Sequence, residues 1–256
     1  MLPAERRERI LRILRQGRYA AVGDIAAVAG ASDATVRRDL AQMEDEGLLR
    51  RVRGGAELME GAARSMGAIE LPLEYRKGVM LDAKRRIAAA AAALCKDGET
   101  VIIDGGSTTF QMTDFLASSK LTAITNSFAI AESLVHRSLC TVILNGGIVY
   151  PESQLILDPF AQEMFSNYTA SKAFMGVFGV DETGATNTES LLITTERAMI
   201  GRAKELVILA DSSKFNRRGS LFLCGFEKIG AIITDGGIPD AYCGLLETRG
   251  IRLIVV

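Results

Sequence analysis

Apolar residues follow two different spacings along this chain, and the change from one to the other divides it. Up to residue 56 the spacing is helical. Ile10, Ile13 and Leu14 make an apolar stripe on a helix expected over residues 3–16, with the arginines of that stretch facing away. A shorter helix is expected over 22–29, closed by Gly30 in a left-handed turn. A third should start at Ser32 and run to about residue 46. Its Val36, Leu40 and Met43 lie at i, i+4 and i+7, which leaves Asp33, Ala34, Arg37 and Arg38 on the opposite face. Gly47 stops that helix, residues 48–53 read as a short strand, and Gly54-Gly55 reads as a hairpin turn.

Residues 57–78 carry no clean period and read as an interdomain linker. From residue 79 to 256 short apolar runs alternate with helical patterns. Strands are expected over 100–104, 121–125, 141–144, 172–177, 206–211, 229–234 and 251–256. Helices are expected near 82–96, 107–118, 127–137, 160–168, 193–204 and 239–249. Such alternation means βαβ units and a largely parallel sheet. The expected fold class is α/β: a winged helix-turn-helix domain over 1–56, then a doubly wound sensor domain over 79–256.

Composition changes this picture mainly through where the charge lies. The 256 residues are 48% hydrophobic and 24% charged, which suits a globular protein and excludes disorder. The formal charge is −1, but residues 1–56 hold 11 Arg against 8 acidic residues, a net +3. The remainder holds 19 basic and 23 acidic residues, a net −4, so only the head is suited to a polyanion. Cys95, Cys140, Cys224 and Cys243 are too far apart for a metal pair or a disulfide framework and read as reduced thiols. Arginines interrupt any N-terminal signal, and no uncharged run reaches the roughly 18 residues of a membrane span, so a cytoplasmic protein is expected.

Within the head, Ser32 caps the third helix, and Thr35, Arg37 and Arg38 stand on its first turns. Arg50, Arg51 and Arg53 follow on the strand and turn. A capped helix led by polar and basic groups, followed by a basic hairpin, is suited to the grooves and phosphates of double-stranded DNA. A charge of +3 is modest, so dimers or tetramers reading paired half-sites are expected.

In the larger domain the candidate chemistry lies in loops after strands. One loop runs Asp104, Gly105, Gly106, Ser107, Thr108, Thr109, and a second has Asn126 and Ser127. Gly146 and Gly147 follow Asn145 in a third, and Lys214 ends a fourth that begins Asp211-Ser212-Ser213. Glycines let the backbone approach a small anion, and hydroxyls, free N–H groups and a lysine can hold it. Neither a phosphate-loop motif nor a dinucleotide fingerprint occurs, so no cofactor is expected. Catalysis finds little footing. His136 is the lone histidine, Asp181-Glu182 fits a solvated turn, and Glu196-Arg197 fits the exposed start of a helix.

These residues resemble the DeoR family of bacterial transcriptional repressors over nearly the full length. The family's recognition block is matched by Ser32, Thr35, Arg37, Arg38, Asp39 and Leu40, then Gly47 and Leu49, then Val52, Gly54, Gly55 and Ala56. Arg53 stands where many members have histidine. The C-terminal part is similar to the family's effector domain through residues 104–109 and 125–127, Gly146-Gly147, Lys172-Ala173-Phe174, residues 197–200 and residues 211–215. The resemblance implies a fold like ribose-5-phosphate isomerase and a phosphorylated sugar or polyol as effector, held by those loops. Isomerases of that fold carry Asp-Gly-Ala-Asp where this chain reads Met175-Gly176-Val177-Phe178, which removes the acids an isomerase would need. The resemblance also places Asp158 near the effector loops.

Overall fold

The computed structural model describes residues 6–7, 9–11, 13–14, 19–45, 48–57, 73–158 and 161–256. The chain divides into two compact units, Met1–Glu70 and Leu71–Val256.

In the first unit the described residues between 6 and 14 are helical, and Ile10, Leu11 and Leu14 are fully buried. The ends of the helix expected over 3–16 lie outside the described residues. Strand β1 (Tyr19–Ala21) leads directly into helix α1 (Val22–Ala29), which ends at Gly30 with φ 58°. Helix α2 (Asp33–Asp45) buries Val36, Leu40 and Met43, the stripe its spacing predicts. Strands β2 (Arg50–Val52) and β3 (Gly55–Glu57) complete a three-stranded sheet in the order β1-β3-β2. The turn itself falls at Arg53-Gly54 rather than Gly54-Gly55. Gly54 takes φ 85°, and a Cβ on Gly55 would lie 2.2 Å from the Ala20 carbonyl oxygen.

Periodicity did not show β1, because a three-residue strand has no measurable period. It also missed the burial of Asp39 on α2. Arg6 meets Asp39 with both Nε and Nη2, and this fork ties the N-terminal helical residues to α2.

In the second unit all seven expected strands form, and they make one parallel sheet. They are β4 (Thr100–Ile103), β5 (Thr122–Thr125), β6 (Thr141–Leu144), β9 (Ala170–Met175), β12 (Ala203–Leu209), β14 (Ile229–Thr234) and β15 (Arg252–Val255). The spatial order is β15-β14-β12-β9-β4-β5-β6. Chain direction across the sheet therefore reverses between β4 and β9, which makes the cleft beyond their C-terminal ends the topological switch point.

Alternate residues serve opposite faces. Val101 and Ile103 pack with Ile87, Ala88, Ala91, Ile130 and Leu134, while Ile102 joins Met175, Ile208, Ile232 and Leu246. Helices α4 (Leu81–Ala92) and α6 (Phe128–Arg137) cover the first face. Helices α8 (Ser190–Ile200) and α9 (Asp240–Thr248) cover the second. The alanine run at 88–93 is thus a close-packing surface against the sheet.

Four observations depart from the sequence reading. The stretch 57–78 is not structureless where it is described: Glu57 closes β3, and Leu73–Gly78 forms helix α3. Strands β7 (Ile148–Tyr150) and β8 (Leu155–Leu157) form a hairpin, and β10 (Gly179–Asp181), β11 (Gly184–Asn187) and β13 (Leu221–Gly225) form a further small sheet. Residues 107–118 shorten to α5 (Ser107–Phe110) and a 3-10 turn over Gln111–Phe115. Glu196 lies mid-helix and 1% exposed, receiving Asn187 Nδ2 at 2.9 and 3.1 Å, while Arg197 donates to the carbonyls of Phe222 and Leu223. Among the described residues no helix is long and apolar enough to cross a membrane.

The Arg6–Asp39 fork makes a stability prediction. Asp39→Ala leaves the Arg6 guanidinium, 13% exposed, without its partner. This should cost about 2 kcal/mol, read as a lower urea midpoint of the first unit. Arg6→Met with Asp39→Leu should recover most of the loss, and an additive double variant would show that the pair is not coupled.

Candidate functional site

Each unit carries one candidate surface. In the first, Ser32 Oγ accepts the Thr35 N–H at 3.3 Å and lies 2.9 Å from Thr35 Oγ1, so the cap and the first helical turn are locked together. Arg37 and Arg38 are exposed on the next turn, opposite the buried Val36–Leu40–Met43 stripe. Arg53 is exposed in the hairpin turn.

Arg50 and Arg51 are exposed too, but each has a carboxylate. Arg50 Nε lies 2.8 Å from Glu57 Oε1. Arg51 reaches Glu44 through its main-chain N–H at 2.7 Å and through Nε at 2.6 Å. Hydrogen bonding to Arg51 holds the Glu44 carboxyl below its ordinary range. Exposed pairs of this kind contribute little to stability, so a phosphate can take over the arginine at small cost. Glu44 stands on α2 and Arg51 on β2, so their pair spans the two elements. The sequence placed these arginines correctly but gave no sign of their partners.

The second surface is the switch point. Asp104 follows β4 and is 3% exposed. Asn126, after β5, donates Nδ2 to Asp104 Oδ1 at 3.0 Å and accepts the Gly105 N–H on Oδ1 at 2.8 Å. Two adjacent strand ends are thereby bolted together through one amide. Burial pushes the Asp104 carboxyl up to about 6, against the pull of Asn126, the N–H of Gly105, the Arg76 charge and the N–H of Gly176. Across the reversal the backbones of Gly106 and Gly176 approach closely: a Cβ on Gly106 would lie 3.8 Å from Gly176 Cα.

The β7–β8 hairpin closes over this point. A Cβ on Gly105 would fall 2.0 Å from Leu155 Cδ2, so a larger residue there would have to displace the Leu155 side chain. Ile156 donates its N–H to the Asn126 carbonyl at 2.8 Å, and Asn145 Nδ2 donates to the Ile156 carbonyl at 3.0 Å. Asn145 Oδ1 is buried with no hydrogen-bond partner in the protein, an acceptor turned toward an unfilled role.

The other expected hydroxyl residues divide into two groups. Ser107 and Thr108 are buried beside Asp104 on the opening turn of α5. Thr109 and Ser127 are spent on the chain itself. Thr109 Oγ1 bonds the Gly106 N–H and carbonyl at 2.8 and 2.9 Å, and Ser127 Oγ caps α6 by accepting the Ile130 N–H at 3.3 Å. Gly146 and Gly147 form the turn from β6 to β7, with Asp158 close to Gly147. Lys214 follows β12, so β9 separates its strand from that of Asp104. It shares the C-terminal edge of the sheet without joining the Asp104–Asn126 group.

Arg76 escaped the sequence reading. It lies on α3, inside a stretch without period, and its charge is one of the lesser influences that oppose the effect of burial on Asp104. Lys77, next to it, lies 3.6 Å above the Phe110 ring, and Lys84 Nζ donates to the Arg76 carbonyl at 2.6 Å. The available signal was the basic pair Arg76-Lys77 just ahead of a regular helix.

Comparison with known proteins matches each unit to a family model. Residues 6–61 match the family model described as the DeoR-like helix-turn-helix domain, and residues 80–236 match the DeoR C terminal sensor domain. The HTH-type transcriptional repressor GlcR of Bacillus subtilis (strain 168) is 30% identical over 100% of this chain and 97% of its own. The HTH-type transcriptional regulator UlaR of Escherichia coli O1:K1 / APEC is 29% identical over 100% of each chain. Among solved structures, ribose 5-phosphate isomerase A of Methanocaldococcus jannaschii aligns with a TM-score of 0.38 and 20% identity, over 53% of this chain and 54% of that one. That likeness is too loose to bear on function.

Asp104 gives the site a pH signature. Its proton is held more tightly in the folded chain, with a value of about 6 against 3.8. Its contribution is therefore fully present below pH 3.8 and lost as pH rises through about 6. Relative to Asp104→Asn, the wild type should lose on the order of 2 kcal/mol across that window, measured as the difference in urea midpoints against pH. A difference that stays flat would mean that the carboxyl is hydrated.

Proposed function

This chain belongs to the DeoR family of transcriptional regulators, and on that premise we propose that it represses a carbohydrate or polyol operon and leaves its operator when a phosphorylated sugar or related metabolite binds. In this reading Thr35, Arg37 and Arg38 enter the major groove behind the Ser32 cap, and Arg50, Arg51 and Arg53 engage phosphate or the minor groove.

The observation that carries the effector half is the Asp104–Asn126 group at the switch point, on which the Arg76 charge also acts. A carboxylate and an amide suit hydroxyls, and the unpartnered Asn145 Oδ1 adds a third acceptor. A guanidinium suits a phosphate. Ser107, Thr108 and the close-set backbones of Gly106 and Gly176 complete a pocket for a small polyol phosphate, with Lys214 at the same edge of the sheet. Turnover has no carrier, because residues 175–178 hold none of the acids an isomerase would need.

The geometry also supports a route from input to output. The Leu73 N–H, at the start of α3, bonds the Glu152 carbonyl of the β7–β8 hairpin at 2.9 Å. The segment by which the chain enters the second unit is thus held by the same hairpin that covers Gly105. An effector drawing on that hairpin biases this segment, by no more than its difference in affinity for the two states.

Two experiments test the two halves. Arg37→Ala with Arg38→Ala should cut specific operator retardation at least about 100-fold while the circular dichroism of the sensor unit stays unchanged. Retained specificity would remove α2 from the groove. Separately, Arg76→Gln and Lys214→Ala should each shrink the rise in melting temperature produced by a panel of sugar and polyol phosphates. An undiminished shift in either variant would take that residue out of the site.

A further inference from the structure

In the first unit one carboxylate is placed to act on DNA binding in two opposite ways. Glu44 lies in the last turn of α2, which holds no basic residue. A carboxylate there works against the helix dipole, so helix stability does not account for it. Its oxygens go to the wing instead. Oε1 accepts the Arg51 main-chain N–H at 2.7 Å, and Oε2 lies 2.6 Å from Arg51 Nε. We propose that Glu44 is a specificity-determining residue, which weakens binding to DNA of any sequence while holding the wing where operator binding needs it. The proposal rests on the reading in which α2 and the wing arginines meet DNA.

The weakening follows from charge. Binding without sequence preference is supplied almost wholly by phosphate neutralisation, and each effective cation adds about 0.9 to the salt slope. Glu44 cancels Arg51. Both side chains are partly exposed, so the pair lies where a phosphate can compete for the arginine. Whether Arg51 stays with Glu44 or passes to a phosphate, the carboxylate remains beside the DNA backbone. Either way the head presents one effective cation fewer.

The holding follows from place. In the sheet order β1-β3-β2, strand β2 pairs only with β3 and its outer edge is open. Glu44 closes that edge at Arg51 with a main-chain hydrogen bond. Beside it the Leu48 N–H donates to the Met43 carbonyl at 2.9 Å, and Met43 and Leu49 are buried. The joint between helix and wing therefore has an apolar inner side and Glu44 on its outer side. Arg53, exposed in the turn that follows β2, takes its position from this strand.

Glu57 supplies the comparison. It pairs with Arg50 across the β2–β3 ladder, so it cancels a wing cation as Glu44 does. That pair joins two strands of the wing, whereas Glu44 joins the wing to α2. Charge alone would make the two acids equivalent. Specificity should depend on Glu44.

The test follows the full-length chain across a salt series on two duplexes. One is the duplex that the wild type enriches from a random-sequence pool, and the other is a scrambled duplex of the same composition. Glu44→Gln should bind the scrambled duplex about 5-fold more tightly at 0.15 M salt, with a slope steeper by about 0.9 per bound head. Its gain on the enriched duplex should be smaller. Glu44→Ala also loses the acceptor for the Arg51 N–H, and should bind the enriched duplex more weakly than the wild type. The ratio of the two affinities should fall in both variants but hold within about twofold in Glu57→Gln, whose gain is common to both duplexes. An unchanged scrambled-duplex slope in Glu44→Gln, or an equal fall of the ratio in Glu57→Gln, would overturn the proposal. Should Glu44→Ala fail to fold, Glu44→Gln decides through slope and ratio together. Arg51→Gln separates this inference from the reading beneath it, and should flatten both slopes by about 0.9 per bound head. If it does so while the Glu44 variants keep the wild-type ratio, the inference alone fails. If Arg51→Gln changes neither slope, the wing does not meet DNA and both fail.

Discussion

The sensor unit is arranged around a carboxylate that cannot be left alone. Asp104 ends a central strand at 3% exposure, where an unpaired charge would be costly. Asn126 satisfies it from the neighbouring strand and with its other end takes the N–H of Gly105. That double duty fixes the loop after β4, and Leu155 packs where a Cβ on Gly105 would lie. Leu155 in turn belongs to the hairpin held by Asn145 and Asn126. One buried acid thus sets the positions of three loops.

The first unit solves a different problem with the same tools. Its elements are too short to be held by cores alone, and polar pairs set the angles between them. Arg6–Asp39 binds the N-terminal helical residues to α2, and Glu44–Arg51 binds α2 to the wing. The buried pair is structural. The exposed pair is held weakly enough that one partner stays available to another anion.

How much of this is legible in the sequence depends on where the information lies. The seven parallel strands are readable because each is an apolar run buried on both faces, bounded by turn residues. The Val36–Leu40–Met43 stripe is readable from helical spacing. The β7–β8 hairpin and the β10-β11-β13 sheet are not, since strands of three to five residues take their conformation from the surfaces they meet. Glu196 looks like a surface residue until Asn187 arrives from another strand to receive it. The effector loops announce themselves through glycine and hydroxyl content, but Thr109 and Ser127 show that such a hydroxyl is often consumed by its own backbone. Arg76 is illegible for a plainer reason: its relation to Asp104 exists only after α3 folds back beside α5.

The protonation of Asp104 ties these threads to the regulatory reading. With its carboxyl pushed up to about 6 by burial, Asp104 is a costly anion near neutral pH even with Asn126 and the Gly105 and Gly176 N–H groups against it. In the proposed reading a ligand's hydroxyls add donors to those of Asn126 and the Gly105 and Gly176 N–H groups, and they reach the acid only where the hairpin and the β4 loop keep their present spacing. Interaction energy gained in one arrangement and not in another is what an effector needs in order to shift an equilibrium. An inorganic anion supplies no such donors and meets a carboxylate of like charge. On this argument the buried acid, rather than the cationic groups around it, distinguishes a sugar phosphate from phosphate itself.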